Sequence, residues 1–306
     1  MPVPGHQTVS GCEAKSYANI EVTPAGLALG AYVSGVDLSS PPSKAVLEDI
    51  ADALWCHHVL FFRDQDMSPD AHVALARHFG EAEVHEIFES DPEHAEISLL
   101  KNDEDNPPEI NVWHTDVTYR EKPTLCTILH CVEAPQVGGD TLFLSTQDAY
   151  ATLAAPIQEL LLGLEMEHDI LKVYTGTKML ERAGGEAYAA HLRKTMPPVT
   201  HPAVIAHPVT GKPGLLVNPT HARHFLGMST LESDKLMDLV CSHQQLAEFQ
   251  VRFQWEPKSI AMWDNFSTQH YAVADYYPRR RHMRRVTVAG FRPEAYRQPV
   301  SRRSAA

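Results

Sequence analysis

A mainly β fold with helices packed on its outside is what the sequence predicts, and three observations carry that expectation. Short segments such as Val59–Phe62 and Arg281–Gly290 are either continuously apolar or alternate with the period of two expected of a strand. Stretches of helical spacing lie between them, opened by signals such as Pro41-Pro42-Ser43 and Ser68-Pro69-Asp70. No repeat or low-complexity linker divides the chain. Residues 19–295 are therefore expected to form one domain, although at roughly 150 residues per domain the length of 306 also admits two.

Taken in order, residues 1–18 lack periodicity and read as a flexible N-terminal arm. Ile20–Asp37 alternates and carries glycines, which suggests short strands and a turn. Val46, Leu47, Ile50, Ala53 and Leu54 then recur at helical spacing. The apolar run Val59–Phe62 reads as a buried strand. A second helix follows Ser68-Pro69-Asp70, with Val73, Leu75, Ala76 and Phe79 as its apolar positions and Gly80 as its stop. Ile97–Leu144 is strand-like, interrupted at Asn106-Pro107-Pro108 and Gly138-Gly139. Thr146–Gly163 reads as helix. Tyr174–Met196 is charged and contains glycines, so a lid or insertion is set at about 170–200. From His201 to Phe291 strands alternate with one helix near Thr230–Leu246. The last fifteen residues look disordered, with the tail proper at 296–306.

Composition narrows the function. With 26 Lys+Arg and 39 Asp+Glu the formal net charge is 26 − 39 = −13. That sign disfavours non-specific nucleic-acid or anionic-membrane binding, because the long-range field repels both. No stretch approaches the roughly 20 apolar residues that span a bilayer, and the first residues lack a signal-peptide pattern. The five cysteines form no Cys-x-x-Cys pair, so neither a disulfide framework nor a thiolate zinc site is suggested. A reduced, cytoplasmic protein is the expectation.

The 18 histidines are many, and position has to decide which of them matter. Within NVWHTDVTY (111–119), His114 and Asp116 stand two apart, which on an extended backbone puts both on one face. An imidazole beside a carboxylate supplies two ligands of the facial triad that holds non-haem Fe(II). The pair alone is weak evidence, since His94-x-Glu96 shows how cheaply it arises. His270, after a polar turn-like stretch, can supply the third ligand. In the strand Arg281–Gly290, alternation puts Arg281, Met283, Arg285 and Thr287 on one face. An arginine pointing into a barrel is costly unless it meets an anion, and its planar fork suits a carboxylate. Two such arginines imply two anions or one large one. The bland alternative is an exposed basic tail.

Over roughly residues 20–295 the chain resembles the Fe(II)/2-oxoglutarate-dependent dioxygenases of the taurine dioxygenase (TauD/TfdA) family. The motifs that carry the resemblance are WHTDVTY (113–119), GGDTLF (138–143), HPVTGKPGLLVN (207–218) and WDN…TQHYAVADYYP…R…MRRVT (263–287). It implies a double-stranded β-helix, or jelly roll, with Fe(II) held by the catalytic ligands His114, Asp116 and His270. Arg281 would bind the far carboxylate of the co-substrate 2-oxoglutarate, helped by Thr141. Arg285 and His85 would bind the anionic head of the substrate.

The resemblance further implies oxidative decarboxylation of 2-oxoglutarate by O2 to succinate and CO2, coupled to substrate hydroxylation. Next to a sulfonate, the hydroxylated product releases sulfite and an aldehyde. The chain departs from the taurine enzymes where they bind the substrate amine. Ile110 replaces an asparagine, Phe88 a tyrosine, Val173-Tyr174 a serine-phenylalanine pair, and His221 a phenylalanine. Val117 is counted with these substrate-side residues. The substrate is thus expected to be a small anion, foremost a taurine-like or alkane sulfonate, alternatively an alkyl sulfate ester or aryloxyacetate. A homo-oligomer (dimer or tetramer) is expected, with no nucleic-acid or membrane partner. Rival readings are a His/Asp/His zinc hydrolase, which leaves the two arginines unexplained, and a non-enzymatic jelly-roll binding protein.

Overall fold

The computed structural model describes residues 15–298, so most of the N-terminal arm and the end of the tail lie outside the described residues. Strands and helices each make up 27% of the described residues. Eight strands form the large sheet, in the order Glu21–Pro24, Ala31–Ser34, Val59–Phe62, Ile260–Asp264, Cys126–Glu133, Arg281–Val288 and Ala82–Glu83, with Ser98–Asn102 also paired to Arg281–Val288. A three-stranded sheet, Gln250–Phe253, Thr141–Ser145 and Thr268–Ala272, faces it. This is the expected jelly-roll core.

Alternation along the strands builds two apolar layers. Phe61, Leu129, Ala261, Trp263 and Met283 of the large sheet pack inward with Phe143 and Phe253 of the small one. The Phe61 and Phe253 rings stack with centroids 4.3 Å apart. Leu60, Phe62, Ile128, Ile260, Met262 and Val286 point the other way, onto the helices Lys44–His57 and Pro69–Phe79. Both helices begin where their caps predict, with the Ser43 and Ser68 hydroxyls accepting from the Val46 and Ala71 backbone N–H. Thr230–Gln244 likewise opens on a capping box of Ser229 and Glu232.

Other expectations are corrected. Thr146–Gly163 is two helices, Thr146–Thr152 and Ala155–Leu162. Pro156 is tolerated only in a first turn, so the chain extends at Leu153 and restarts. Between Asn102 and Cys126 the middle region is irregular except for a single bridge at His114. The insertion consists of three short helices, Leu171–Tyr174, Lys178–Arg182 and Gly185–Thr195. Within the last fifteen residues Glu294–Ala295 form a two-residue strand paired with Val204–Ala206, and residues 299–306 lie outside the described residues. Residues 15–18 of the arm are also held, because Lys15 and Tyr17 both bond the Asp52 carboxylate. Cys126, Cys131 and Cys241 are free and buried, but Cys56 is disulfide-bonded. An odd count guarantees one free thiol without excluding a pair. No described helix is long and apolar enough to cross a membrane.

Gly290 sets how closely the end of the strand Arg281–Val288 approaches the loop before Cys126. A Cβ there would stand 2.0 Å from the Pro123 carbonyl oxygen and 2.8 Å from the Leu125 nitrogen. The neighbours are backbone and cannot swing aside. Gly290→Ala is expected to cost about 2 kcal/mol or more, as overpacking does. At about 2–4 °C per kcal/mol for a domain of this size, thermal melting is expected to fall by about 4–8 °C.

Candidate metal centre

His114 and His270 are joined by an isolated antiparallel bridge. The His114 N–H donates to the His270 carbonyl at 3.0 Å and the His270 N–H returns the bond at 2.8 Å. The pair lies where the strand Thr268–Ala272 meets the irregular segment before Cys126, and it sets the two imidazole centroids 4.1 Å apart. Asp116 reaches the same point differently from the sequence expectation. His114 to Asp116 is not a continuous strand, because the chain turns at Asp116 and Val117 adopts φ +46°. Asp116 Oδ1 nonetheless lies 3.8 Å from His114 Nε2 and 3.9 Å from His270 Nε2. One ligand atom from each residue falls within 4.8 Å of the others.

Neighbouring bonds prepare these atoms for an ion. His114 Nδ1–H donates to the Val112 carbonyl at 2.8 Å, which leaves the Nε2 lone pair facing inward. Asp116 Oδ2 accepts from the Thr127 hydroxyl at 2.7 Å, and the Asp116 N–H donates to Asn265 Oδ1 at 3.3 Å. Asn265 in turn donates to Thr127 Oγ1 at 2.9 Å and accepts from the Trp263 indole at 3.2 Å. Burial alone would push the Asp116 carboxyl up, but His270, Arg285, His114 and the Thr127 hydroxyl together hold it well below the usual carboxylate range. Burial lowers His114 and takes His270 down to about 3. A carboxylate beside two neutral imidazoles is the donor set that a first-row divalent ion needs.

The strand Arg281–Val288 carries Arg281, Met283, Arg285 and Thr287 inward, as its alternation predicts. Arg281 is 5% exposed and Arg285 6%. Among the described residues no carboxylate pairs with Arg281, and its Nε has no hydrogen-bond partner. Arg285 has one long contact, Nη1 to Asp116 Oδ1 at 3.5 Å, while its Nε and Nη2 are unpartnered. Its guanidinium lies 4.6 Å from the Phe88 ring centre. Two buried cations therefore stand short of anions beside the cluster.

Two cavities flank the cluster. The larger, about 410 Å3, is lined by Arg281 and Thr141 together with His114, His270, Trp263 and Tyr276. The smaller, about 30 Å3, is lined by His114 and Asp116 and by every residue expected at the substrate: His85, Phe88, Ile110, Val117, Tyr174, His221 and Arg285. Phe88, Ile110, His114 and Arg285 line both. Sequence reasoning missed Tyr119 and Thr220 in the smaller cavity, and the Thr127–Asn265 support behind Asp116. Tyr119 and Asn265 stand inside the quoted motifs, but nothing in the sequence marks Thr127.

A model of the family described as taurine catabolism dioxygenase TauD, TfdA matches residues 21–287. An α-ketoglutarate-dependent sulfate ester dioxygenase of Pseudomonas putida is 34% identical over 285 residues, covering 92% of this chain and 94% of that one. An alkylsulfatase of Acinetobacter baylyi is 33% identical over 273 residues, covering 86% of this chain and 82% of that one. A crystal structure of a taurine dioxygenase from Burkholderia xenovorans superposes with a TM-score of 0.77 at 31% identity, covering 91% and 93% of the two chains.

Replacing any of His114, Asp116 or His270 by Ala removes a donor that no neighbour restores. Each variant is expected to lose Fe(II) in equilibrium dialysis, whereas Asn265→Ala keeps all three donors and weakens binding about 10–100-fold. Wild-type iron content in His270→Ala would show that the cluster is not the metal site.

Proposed function

The chain belongs to the taurine catabolism dioxygenase TauD, TfdA family, and from that premise we propose that it hydroxylates the carbon bearing the anionic group of a small organic sulfonate. It is a non-haem iron dioxygenase that uses Fe(II), 2-oxoglutarate and O2. A second substrate, the alkyl sulfate ester, is favoured by the kinship to a sulfate ester dioxygenase and an alkylsulfatase. Hydroxylation beside a sulfonate would release sulfite and an aldehyde. Beside a sulfate ester oxygen it would release sulfate and an aldehyde.

The observation that carries this reading is a pair of buried arginines beside a His/Asp/His cluster, Arg281 with no carboxylate partner among the described residues and Arg285 with only one long contact to Asp116. His114, Asp116 and His270 would hold the iron. Bound iron, with 2-oxoglutarate and O2, supplies the oxidising chemistry. Arg281 and the Thr141 hydroxyl, in the larger cavity, would fix the far carboxylate of 2-oxoglutarate. Arg285 would grip the substrate's anionic head in the smaller cavity. His85 stands beside it as a neutral donor: burial, and then Arg285, hold its imidazole well below its ordinary value. The apolar walls from Phe88, Ile110, Val117 and Val173 exclude water and orient the substrate carbon.

We read the helices between 171 and 195 as the wall that closes over this arrangement. Val173 and Tyr174 line the smaller cavity, and Arg182 and Ala183 line the larger. Arg182 bonds the Asn106 side chain and the Asp105 carbonyl, and the Lys178 N–H donates to Glu109 at 2.8 Å. These bonds tie the insertion to the loop across the cavity mouth. The substrate is a small anion, as the net charge of −13 and two interior arginines together favour over nucleic acid.

Arg281→Ala is expected to raise the 2-oxoglutarate concentration for half-maximal rate by at least about tenfold and to leave iron content unchanged. A desolvated two-point charge contact costs roughly 2–5 kcal/mol to break. An unaltered 2-oxoglutarate dependence would remove Arg281 from the site.

Substrate choice follows from the smaller cavity. Its only carboxylate is Asp116, already committed to the cluster, and Ile110 offers no hydrogen bond. An ammonium there would be left partly desolvated. An apolar tail gains about 25 cal/mol for each Å2 removed from water. Alkanesulfonates and alkyl sulfates are therefore expected to match or exceed taurine in kcat/KM, and Arg285→Ala to impair all of them. Succinate, sulfite and sulfate release over a chain-matched panel measures this, and a hundredfold preference for taurine would overturn the apolar-tail reading.

A further inference from the structure

We propose that Trp255 is a positioning residue for 2-oxoglutarate, aiming the Thr141 hydroxyl proton at the carboxylate held by Arg281. The inference rests on the 2-oxoglutarate reading of the larger cavity and concerns a residue outside the motifs that carry the resemblance. Thr141 stands opposite Phe253 in the small sheet, and Trp255 lies two residues further along the chain. Both side chains are buried, Trp255 at 3% and Thr141 at 2% exposure. The Trp255 indole N–H donates to Thr141 Oγ1 at 2.9 Å.

The direction of that bond is fixed by chemistry. An indole nitrogen is a donor only, with no tautomer that could accept. Thr141 Oγ1 must therefore accept from Trp255, and its own proton must point elsewhere. Among the described residues nothing accepts that proton, although Thr141 lines the cavity beside Arg281. A hydroxyl already accepting from a buried donor is a stronger donor itself, and toward an anion that bond is charge-assisted. Trp255 also confines the cation: the Arg281 guanidinium carbon is 5.8 Å from the Trp255 ring centre and 5.9 Å from that of Tyr276. On the open side, a Cβ on Gly139 would come within 3.3 Å of the Arg281 stem. The site is thus built as a guanidinium fork and one oriented hydroxyl, with the indole fixing the hydroxyl.

The test is calorimetric binding of 2-oxoglutarate to the Mn(II)-loaded full-length protein, which needs no turnover. Trp255→Phe keeps an aromatic ring at this position while removing the N–H together with part of the indole's buried volume. It is expected to weaken Kd about tenfold, the share of one charge-assisted hydrogen bond. Thr141→Val is expected to weaken it at least as much. In the double variant the Trp255 change is expected to add less than about twofold, because the hydroxyl it orients is gone. A purely packing role would instead leave the full loss in both backgrounds, and that result overturns the proposal. So does wild-type affinity in Trp255→Phe. Unchanged affinity in Thr141→Val also overturns it, whether or not Trp255→Phe folds. Failure of the underlying reading has a different signature: wild-type protein that does not bind 2-oxoglutarate, or whose binding ignores Arg281→Ala.

Discussion

The strand Arg281–Val288 carries two guanidinium groups into an interior otherwise built from Phe61, Leu129, Phe143, Trp263 and Met283. Taking such a charge out of water costs several kcal/mol unless an anion and hydrogen bonds compensate it. The protein supplies only part of that compensation. Asp116 reaches Arg285 at 3.5 Å, and aromatic faces of Trp255 and Tyr276 flank Arg281. Burial depresses the Arg281 guanidinium, a sign that the fold tolerates this charge more than it stabilises it. The rest of the site is organised around that deficit. The surrounding sheet is packed on both faces, which fixes where these two side chains enter the interior.

The same economy governs the metal cluster. Asp116 is buried, yet its carboxyl is held below the ordinary carboxylate range against that desolvation, with Arg285 facing one of its oxygens and the Thr127 hydroxyl bonding the other. Its geometry is not set by its own strand, since it lies in a turn. The His114–His270 bridge brings two ligands together, and Asn265 pins the third by bonding both its backbone N–H and the threonine that supports its carboxylate. Elements distant in sequence therefore converge on a single Å-scale arrangement. Coupling of this sort makes a cluster rigid, because shifting one member breaks bonds in another.

How much of this was legible in the chain depended on the range of the interaction involved. The helices Lys44–His57 and Pro69–Phe79 could be read because their signals are local: a serine cap, an apolar stripe, and Gly80 at the end of the second. The inward face of Arg281–Val288 was legible because strand alternation is equally local. The break at Leu153 was readable in principle from Pro156 but was outweighed by the apolar spacing on either side of it. The strand Glu294–Ala295 was not readable, because two residues carry no period and their order comes from pairing with Val204–Ala206. The His114 and Asp116 pair was placed at the right positions on an incorrect backbone, since a turn can converge two side chains as well as a strand can. Thr127 and Trp255 were invisible, because each acts on a residue more than ten positions away through a single hydrogen bond.

Sequence alone leaves open whether the two arginines serve one large anion or two small ones, and the fold favours two. Four residues on a strand advance about 13 Å, further than a small dicarboxylate or sulfonate can bridge with both ends gripped. Each arginine also has its own surroundings. Arg285 lines the small cavity with His85 and Asp116, whereas Arg281 lines only the larger one with Thr141. His114 belongs to both cavities, so the metal cluster lies at their junction. Two anions gripped four residues apart on one strand, with His114 lining both cavities, would place two reactants at one centre without direct contact between their charges. Repulsion between the anions would then be small. That separation would let a single scaffold keep its co-substrate site while residues such as Ile110 and Phe88, which line the smaller cavity, change what it oxidises.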